Sequence, residues 1–388
     1  MDYANILSRR AQELKPSGIR RFFDLASTME GVISLGVGEP DFKTPYSIRR
    51  AGIESLEKGR TWYTANAGLL ELRRQIAAYL ARRFDLPYEE GEVLVTVGGS
   101  EAIDLCVRAC LDPGDEVLIP EPCFVCYDPI TRLAGGVPVP IVTRPEDGFR
   151  LTPEALEAAI TPRTKLLVLP YPNNPTGAIM KKEHLEAIIP VMLRHNILVL
   201  SDEIYAELTF EGRHVSIASL PGMAERTVVV NGFSKAYAMT GWRLGYAAGP
   251  KAVIQVMTKL HQFAIMCAPT TSQYAAIEAM KSCDSEIERM AVQFGMRRGL
   301  MVGSLNRMGL TCADPLGAFY VFPSIRSTGL SSDEFCQRLL EEQKVAVVPG
   351  GAFGQSGEGH VRISYSYSVD HLIEALGRIE VFVKGLKR

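Results

Sequence analysis

Short apolar runs alternate with helix-like segments through the middle of the chain, and this alternation constrains the fold more than any other feature. The candidate strands are rich in Val, Ile and Leu and are bounded by turn residues; they cover residues 93–97, 116–119, 164–169, 197–201, 227–231 and 244–249. Helix-like stretches lie between them, among them 101–111, 153–160 and 182–194. Apolar strands separated by helices are typical of a mostly parallel sheet with helices on both faces. We therefore predict an α/β fold.

The pattern changes near residue 284. A long amphipathic helix is predicted from residue 285 to about 308, and it leads into the run 317–323 and a strand-like run over 359–366. A chain of 388 residues is too long for one typical core. We expect a large domain over 46–284 and a smaller α+β domain over 285–388. Residues 1–45 are expected to form an N-terminal arm and part of the small domain, because 32–35 reads as an isolated strand.

Charge and composition argue against several classes of protein. The net charge of -2 gives no strong attraction to nucleic acid or to an anionic membrane. No stretch approaches the ~18 uninterrupted apolar residues of a membrane span. Residues 1–18 lack the apolar core of a signal peptide, so we expect a cytoplasmic protein. Small molecules and other subunits remain as partners.

Metal binding is not expected either. The eight cysteines are scattered along the chain, which is typical of reduced thiols. Cys123 and Cys126 form a C-x-x-C, but a zinc site would need a second ligand pair of similar spacing, and the six histidines supply none.

The segment 231–245, NGFSKAYAMTGWRLG, contains the most informative lysine of the chain. Lys235 follows an apolar run and lies among small and apolar residues, whereas a lone lysine is usually a solvated surface charge. An amine in an apolar pocket has a lowered pKa and can attack a carbonyl. Arg243, eight residues further on, can bind a phosphate through two hydrogen bonds. Capture of an aldehyde together with a phosphate is what pyridoxal phosphate requires.

This segment resembles the Schiff-base signature of the class I and II aminotransferases, S-K-x-x-x-x-x-G-x-R, at every fixed position. Further segments follow in the order of that family and cover nearly the whole chain: GVGEPDF (36–42), YTANAG (63–68), GGS (98–100), NNPTG (173–177), SDEIY (201–205) and VRIS (361–364). The resemblance implies a fold type I enzyme with pyridoxal phosphate as cofactor. Together with the run SGIRRFFDLAS (17–27), it is closest to the bacterial and archaeal branch that contains aspartate, aromatic and N-acyl-diaminopimelate aminotransferases.

The resemblance also implies roles for residues around the cofactor ring. Lys235 would hold the cofactor as a Schiff base and then act as general acid and base. Asp202 would pair with the pyridine nitrogen, and Tyr205 would donate to the phenolic oxygen. Asn174 would contact that oxygen and the substrate carboxylate. Phe124 would stack on the ring where the family often has tryptophan, although core packing is its ordinary alternative.

A second set of residues would bind the two anionic groups. Gly99 and Ser100 begin a helix-like segment whose backbone N–H groups can bind the phosphate. Ser234 and Arg243 would contact the same phosphate. Arg362 would bind the substrate α-carboxylate, and Gly38 would let the backbone approach that group. Tyr63 would reach the cofactor phosphate bound by a neighbouring subunit. The active site would then be complete only in a homodimer.

The sequence therefore predicts an aminotransferase, with two alternatives. A carbon–sulfur β-lyase or related synthase has the same fold, but its relatives tend to have His where this chain has Tyr205. A non-catalytic regulator that binds the cofactor usually carries a DNA-binding module, for which this chain has no spare length or basic patch. For substrates, we expect glutamate with 2-oxoglutarate as one pair and an aromatic or other fairly apolar amino acid as the second, because no arginine is evident for an aspartate side chain.

Overall fold

The structure is a computed structural model that describes residues 1, 3–14, 16, 18 and 29–386. Most of the segment SGIRRFFDLAS therefore lies outside the described residues. The strands are β1 (Ile33–Ser34), β2 (Val93–Thr96), β3 (Glu116–Glu121), β4 (Val137–Val142), β5 (Thr164–Leu169), β6 (Leu198–Asp202), β7 (Thr227–Gly232), β8 (Gly245–Ala248), β9 (Tyr320–Val321), β10 (Val345–Ala346), β11 (Val348–Pro349) and β12 (Val361–Ser364).

The helices of the described residues follow the same chain order. They are α1 (Tyr3–Ile6), α2 (Arg9–Glu13), α3 (Tyr46–Glu57), α4 (Leu70–Phe84), α5 (Gly99–Cys110), α6 (Tyr127–Leu133), α7 (Pro153–Ala159), α8 (Lys182–Arg194), α9 (Lys251–Ile265), α10 (Thr270–Ser282), α11 (Asp284–Met308), α12 (Ser332–Gln343) and α13 (Val369–Leu386).

A seven-stranded sheet in the order β2-β8-β7-β6-β5-β3-β4 forms the centre of the molecule. Its strands pair in parallel from β7 to β4, and only β8 runs antiparallel to its two neighbours, β7 and β2. The predicted α/β fold with a mostly parallel sheet is confirmed.

Both faces of this sheet are buried. Leu94, Val117 and Leu200 pack on one face with residues of α5 and α9, whereas their neighbours Leu118 and Val199 pack on the other. Successive side chains of a strand point to opposite faces, so a strand between two layers of helices must be apolar at every position. This arrangement explains the continuous apolar runs of the sequence.

The edge strand β4 is not among the strands predicted from the sequence. Its residues VPVPIV include Pro138 and Pro140, which cannot donate to a neighbouring strand. An edge strand needs donors on one side only, and there proline is tolerated. Val137 and Val142 are accordingly exposed.

The C-terminal part contains a three-stranded antiparallel sheet in the order β11-β12-β9, with α11, α12 and α13 sharing one apolar core. The N-terminal strand β1 pairs in parallel with β10, Ile33 opposite Val345. The helix α11 begins at Asp284, close to the predicted start at 285. The domain boundaries at residues 45 and 284 stay a prediction.

Neither a membrane span nor a metal cluster is found in the described part of the chain. None of its helices is both long and apolar enough to cross a bilayer. It also contains no group of three or more His, Cys, Asp or Glu side chains that could hold a metal ion.

Candidate active site

A cavity of about 710 Å³ opens where β2, β3, β5, β6 and β7 end, beside β9 and β12 of the C-terminal part. Carboxyl ends of parallel strands are where α/β sheets bind ligands. The predicted site residues that line this cavity are Gly38, Gly99, Ser100, Phe124, Asn174, Asp202, Tyr205, Ser234, Lys235, Arg243 and Arg362. Tyr63 does not line it.

Lys235 lies three residues beyond the end of β7, with its amine facing the cavity. Its Nζ donates to the backbone oxygen of Gly38 at 2.5 Å. The amine also lies 5.8 Å from the ring centre of Tyr205 and 5.9 Å from that of Phe319. Burial lowers the pKa of Lys235 to about 8, although the nearby carboxylate of Glu39 opposes this shift. The structure therefore places a partly neutral amine in the cavity, as a nucleophile or general base requires.

The turn from β2 into α5 forms an anion site at one end of the cavity. Gly98 has a φ of 79°, and α5 begins at Gly99, so the free N–H groups of the helix start lie at the cavity wall. The Arg243 guanidinium packs against Gly98, where an added Cβ would stand 2.7 Å from Nη2. Arg243 Nη1 is held by the backbone oxygen of Thr240 at 2.9 Å. These groups fit a phosphate.

Asp202 ends β6, and its carboxylate is buried beside the cavity with 7% of the residue exposed. Oδ2 accepts from the Tyr127 hydroxyl at 2.7 Å, and Oδ1 accepts from the backbone N–H of Ile204 at 3.2 Å. Burial raises the pKa of Asp202, and these two hydrogen bonds oppose that shift. Such a carboxylate favours a cationic N–H group as its partner, because an ion pair lowers the cost of burying the charge.

Arg362 lies on β12 at the other end of the cavity and is only 2% exposed. Nη1 donates to Asn174 Oδ1 at 3.1 Å, Nη2 donates to the backbone oxygen of Gly36, and Nε has no partner. No carboxylate of the described residues forms an ion pair with this guanidinium. A buried cation without an anionic partner is costly, and this arrangement fits a ligand carboxylate.

The two asparagines of the loop 173–177 make different contacts. Asn173 Oδ1 accepts from the backbone N–H of Thr176 at 3.1 Å and from its hydroxyl at 2.8 Å, which closes the turn. Asn174 is left to contact Arg362. The contact thus falls on the second asparagine, the one singled out from the sequence.

Two tyrosines of the cavity were missed by the sequence analysis. Tyr127, the donor to Asp202, lies three residues after Phe124, and the two rings meet edge to face at 6.3 Å. Two aromatic residues so close together just after β3 are a signal that could have found it. Tyr320 donates to or accepts from the Tyr205 hydroxyl at 2.8 Å. It lies on β9, which pairs with the Arg362-bearing strand β12 beside the cavity.

Tyr63 is the one predicted site residue that the structure leaves outside the cavity. It is 78% exposed, next to Trp62, which is 62% exposed. Its predicted role was in a neighbouring subunit, so a position on the outer surface agrees with that role without testing it.

Sequence comparison identifies the family. The family described as aminotransferase class I and II matches residues 30–379. The chain belongs to the class I and II aminotransferases. This assignment confirms transamination, and with it the predicted cofactor, because enzymes of this kind use pyridoxal phosphate. The geometry fits that cofactor: an amine of lowered pKa, a buried carboxylate and an anion site face one cavity.

The similar proteins include enzymes that are named after different amino-acid substrates. The chain is 46% identical to an aspartate aminotransferase of Pyrococcus abyssi, over 98% of this chain and 99% of that protein. It is 45% identical, with the same coverage, to aromatic-amino-acid aminotransferase 2 of Thermococcus litoralis. The structure of an aspartate aminotransferase from Thermus thermophilus with maleate superposes with a TM-score of 0.93, at 41% identity over 97% of this chain and 99% of that chain. The predicted bacterial and archaeal branch is confirmed.

Proposed function

We propose that this aminotransferase uses Lys235 as its catalytic residue and Asp202, Asn174 and Tyr205 to orient the cofactor ring. When bound, pyridoxal phosphate supplies an aldehyde and an electron-withdrawing ring that stabilises negative charge on the substrate α-carbon. The Asp202 carboxylate would keep the ring nitrogen protonated, and burial beside Tyr127 holds that carboxylate in place. Phe124, on the cavity wall, would cover one face of the ring.

Lys235 would take the proton from the substrate α-carbon and deliver it to the aldehyde carbon of the cofactor. A general base works best with a pKa near the operating pH, and burial brings the pKa of Lys235 to about 8. The backbone oxygen of Gly38 holds the amine between the two ends of the cavity.

The two ends of the cavity would bind two anionic groups, the cofactor phosphate and the substrate carboxylate. Gly99, Ser100, Ser234 and Arg243 would hold the phosphate at the start of α5. Arg362 would bind the α-carboxylate of the substrate, and its buried guanidinium is the single observation that best supports an amino-acid substrate. Gly38 lines the same cavity, so its backbone would lie close to the carboxylate.

We infer an aromatic or other fairly apolar amino acid as one substrate and glutamate with 2-oxoglutarate as the other pair. The Lys and Arg side chains that line the cavity are Lys235, Arg243 and Arg362, and each already has a role. Within the described residues of one protomer, the cavity lining offers no further cation for the side chain of aspartate. Apolar pockets discriminate between substrates by only about 1–3 kcal/mol per methylene, so specificity is expected to be broad.

The functional unit would be a homodimer in which Tyr63 of each subunit contacts the phosphate bound by the other. Tyr63 belongs to an exposed apolar surface, defined here as Trp62, Tyr63, Phe263, Ile265 and Met266. Asn66 ties the two segments together by donating to the backbone oxygen of Met266 at 2.9 Å. Large exposed apolar patches mark interaction surfaces. The cytoplasmic location and the domain boundaries at 45 and 284 are kept as predictions.

A half-reaction screen tests the proposed function. Purified protein loaded with pyridoxal phosphate is mixed with each common amino acid in turn, and loss of the yellow absorbance band of the cofactor is followed. We expect aromatic and apolar amino acids and glutamate to react faster than aspartate, and Lys235→Ala to give no reaction. The matched control is Lys182→Ala on the exposed face of α8, which should react like the native protein. If no amino acid changes the band of the native protein, the proposed function fails. If Lys235→Ala still reacts, the assignment of Lys235 is wrong, and if aspartate reacts fastest, the substrate proposal is wrong.

A further inference from the structure

Tyr320 contacts three groups of the site although it belongs to none of the sequence motifs. The residue is 1% exposed on β9. Its hydroxyl lies 2.8 Å from the Tyr205 hydroxyl, and its ring face lies 4.6 Å from Cζ of Arg362. The same hydroxyl occupies the space that a Cβ at Gly38 would need. Gly38 in turn accepts from Lys235. One side chain therefore touches the ring-binding end, the carboxylate-binding end and the loop that holds the lysine.

The hydroxyl pair has a defined direction once Tyr205 acts as proposed. A tyrosine hydroxyl has one hydrogen to donate. If Tyr205 donates it to the phenolic oxygen of the cofactor, Tyr320 must be the donor between the two tyrosines. A hydroxyl that accepts a hydrogen bond becomes a stronger donor itself, because the bonds of a chain polarise one another. Both residues are buried, which limits the access of water to their hydroxyls.

The ring of Tyr320 acts on a different group. The Arg362 guanidinium lies between two aromatic rings, with Tyr320 at 4.6 Å and Phe353 at 4.9 Å. Asn174 and the backbone oxygen of Gly36 fix two of its nitrogens. Aromatic faces attract a guanidinium and hold its plane, and this orientation is what a two-point bond to a carboxylate needs.

We propose that Tyr320 is a positioning residue for transamination, with its hydroxyl directing Tyr205 towards the cofactor and its ring directing Arg362 towards the substrate carboxylate. The inference rests on the proposed function, because the roles of Tyr205 and Arg362 come from there. The two parts of the side chain have separable effects: the hydroxyl acts on the ring and on kcat, and the aromatic face acts on substrate binding and on KM.

The first experiment removes the hydroxyl alone, with Tyr320→Phe. The bound cofactor is titrated with base, and the pH midpoint of its yellow band is recorded. We expect the midpoint to rise, because a weaker bond from Tyr205 stabilises the negative phenolic oxygen less. We expect kcat to fall about 3- to 10-fold and KM for the amino acid to stay within about 2-fold. The matched control is Tyr365→Phe, which removes another buried hydroxyl, one that donates to the backbone oxygen of Ala318 at 3.2 Å. It should leave midpoint and kcat unchanged.

A double-mutant cycle tests whether Tyr320 acts through Tyr205. In a Tyr205→Phe background, Tyr320→Phe should shift the midpoint no further, because the group it directs is already gone. An equal shift in both backgrounds would overturn this part of the proposal. Placing 3-fluorotyrosine at position 320 preserves the shape of the ring should Tyr320→Phe not fold. Its more acidic hydroxyl donates more strongly, so the midpoint should fall, and an unchanged midpoint would also count against the proposal.

The ring is tested with Tyr320→Leu, compared with Tyr320→Phe. Loss of the aromatic face should raise KM about 5-fold or more beyond the value of Tyr320→Phe, and equal KM values would refute the role of the ring. The native protein separates this inference from the proposed function. If the native protein converts no amino acid, the proposed function fails. If it does convert them and Tyr320→Phe matches it in midpoint, kcat and KM, only the inference about Tyr320 fails.

Discussion

Lys235 is a residue at which the chemistry of the site conflicts with stability. Its amine is surrounded by the Tyr205 and Phe319 rings and a backbone oxygen, and burial lowers its pKa from 10.5 to about 8. The shift favours attack on an aldehyde, but it also means that the folded protein pays a desolvation cost whenever the amine is charged.

This conflict predicts a pH-dependent stability. Between pH 8 and 10.5 the unfolded chain keeps a proton that the folded protein has released, so the free energy of unfolding rises with pH across this window. Below about pH 8 the amine is charged in both states and the full cost remains. In cofactor-free protein at pH 7, Lys235→Met should therefore raise Tm by about 1–4 °C.

The measurement is thermal unfolding of the native and Lys235→Met proteins without cofactor, from pH 7 to pH 10. The difference in Tm should shrink as the pH rises, because the native lysine becomes neutral. Lys182→Met, an exposed change on α8, serves as the control and should show no such trend. A difference that stays constant over this range would contradict the pKa assigned to Lys235.

The site residues were predictable to the extent that each lies in a motif at the end of a strand. Asp202 lies at the end of β6 and Lys235 three residues beyond the end of β7, so their convergence at one edge of the sheet follows from the parallel arrangement of these strands. Tyr320 could not be found in this way. It reaches the cavity because Ser364 of β12 pairs with it, two residues beyond Arg362, and such register is a property of the tertiary fold.

At the scale of elements, the strands that fill the middle of the sheet were predicted within one or two residues at their ends. Strands β5 and β7 each contain a continuous apolar run, Leu166–Leu169 and Val228–Val230, which makes their pattern clear. Strand β4 was not predicted, because its two prolines are typical of a loop. The antiparallel direction of β8 could not be predicted either, because the apolar pattern of a buried strand carries no information on its direction.

The close packing of β8 on the start of α5 is an element-level feature with a testable consequence. A Cβ at Gly245 would stand 2.7 Å from the carbonyl carbon of Gly98 and 2.8 Å from the nitrogen of Gly99. Gly245→Ala should therefore push the start of α5 away from the cavity and weaken the anion site. We expect affinity for pyridoxal phosphate to fall about 10-fold or more.

Comparing two ligands makes this test specific. The dissociation constants of pyridoxal phosphate and of pyridoxal are measured by absorbance titration of cofactor-free protein. Gly245→Ala should weaken the phosphorylated ligand much more than pyridoxal, since only the former uses the start of α5. Gly299→Ala on α11, where an added Cβ meets nothing within 4 Å, is the control. Equal losses for both ligands would show that the damage is not confined to the anion site.

At the scale of the whole molecule, one protomer contains a cavity with the proposed catalytic lysine, but the predicted phosphate contact from Tyr63 lies on its outer surface. Phe263 is 83% exposed and Tyr63 is 78% exposed, large fractions for aromatic side chains. The Thr270 hydroxyl donates to the Trp62 backbone oxygen at 2.7 Å. This hydrogen bond links the exposed apolar surface to the start of α10. A two-fold assembly would bury this surface and bring each Tyr63 towards the other site.

Subunit mixing tests this arrangement. Lys235→Ala alone and Tyr63→Ala alone should both have low activity. In a hybrid dimer, the site with native Lys235 receives native Tyr63 from its partner and is intact, whereas the other site lacks both. Random mixing makes half of the dimers hybrid, each with one intact site of two, so activity should recover to about one quarter of the native value. If Tyr63 instead served its own subunit, no site in the mixture would be intact, and activity would stay at the average of the two variants. The mixture is measured after subunit exchange and compared with the two variants assayed separately at the same total concentration.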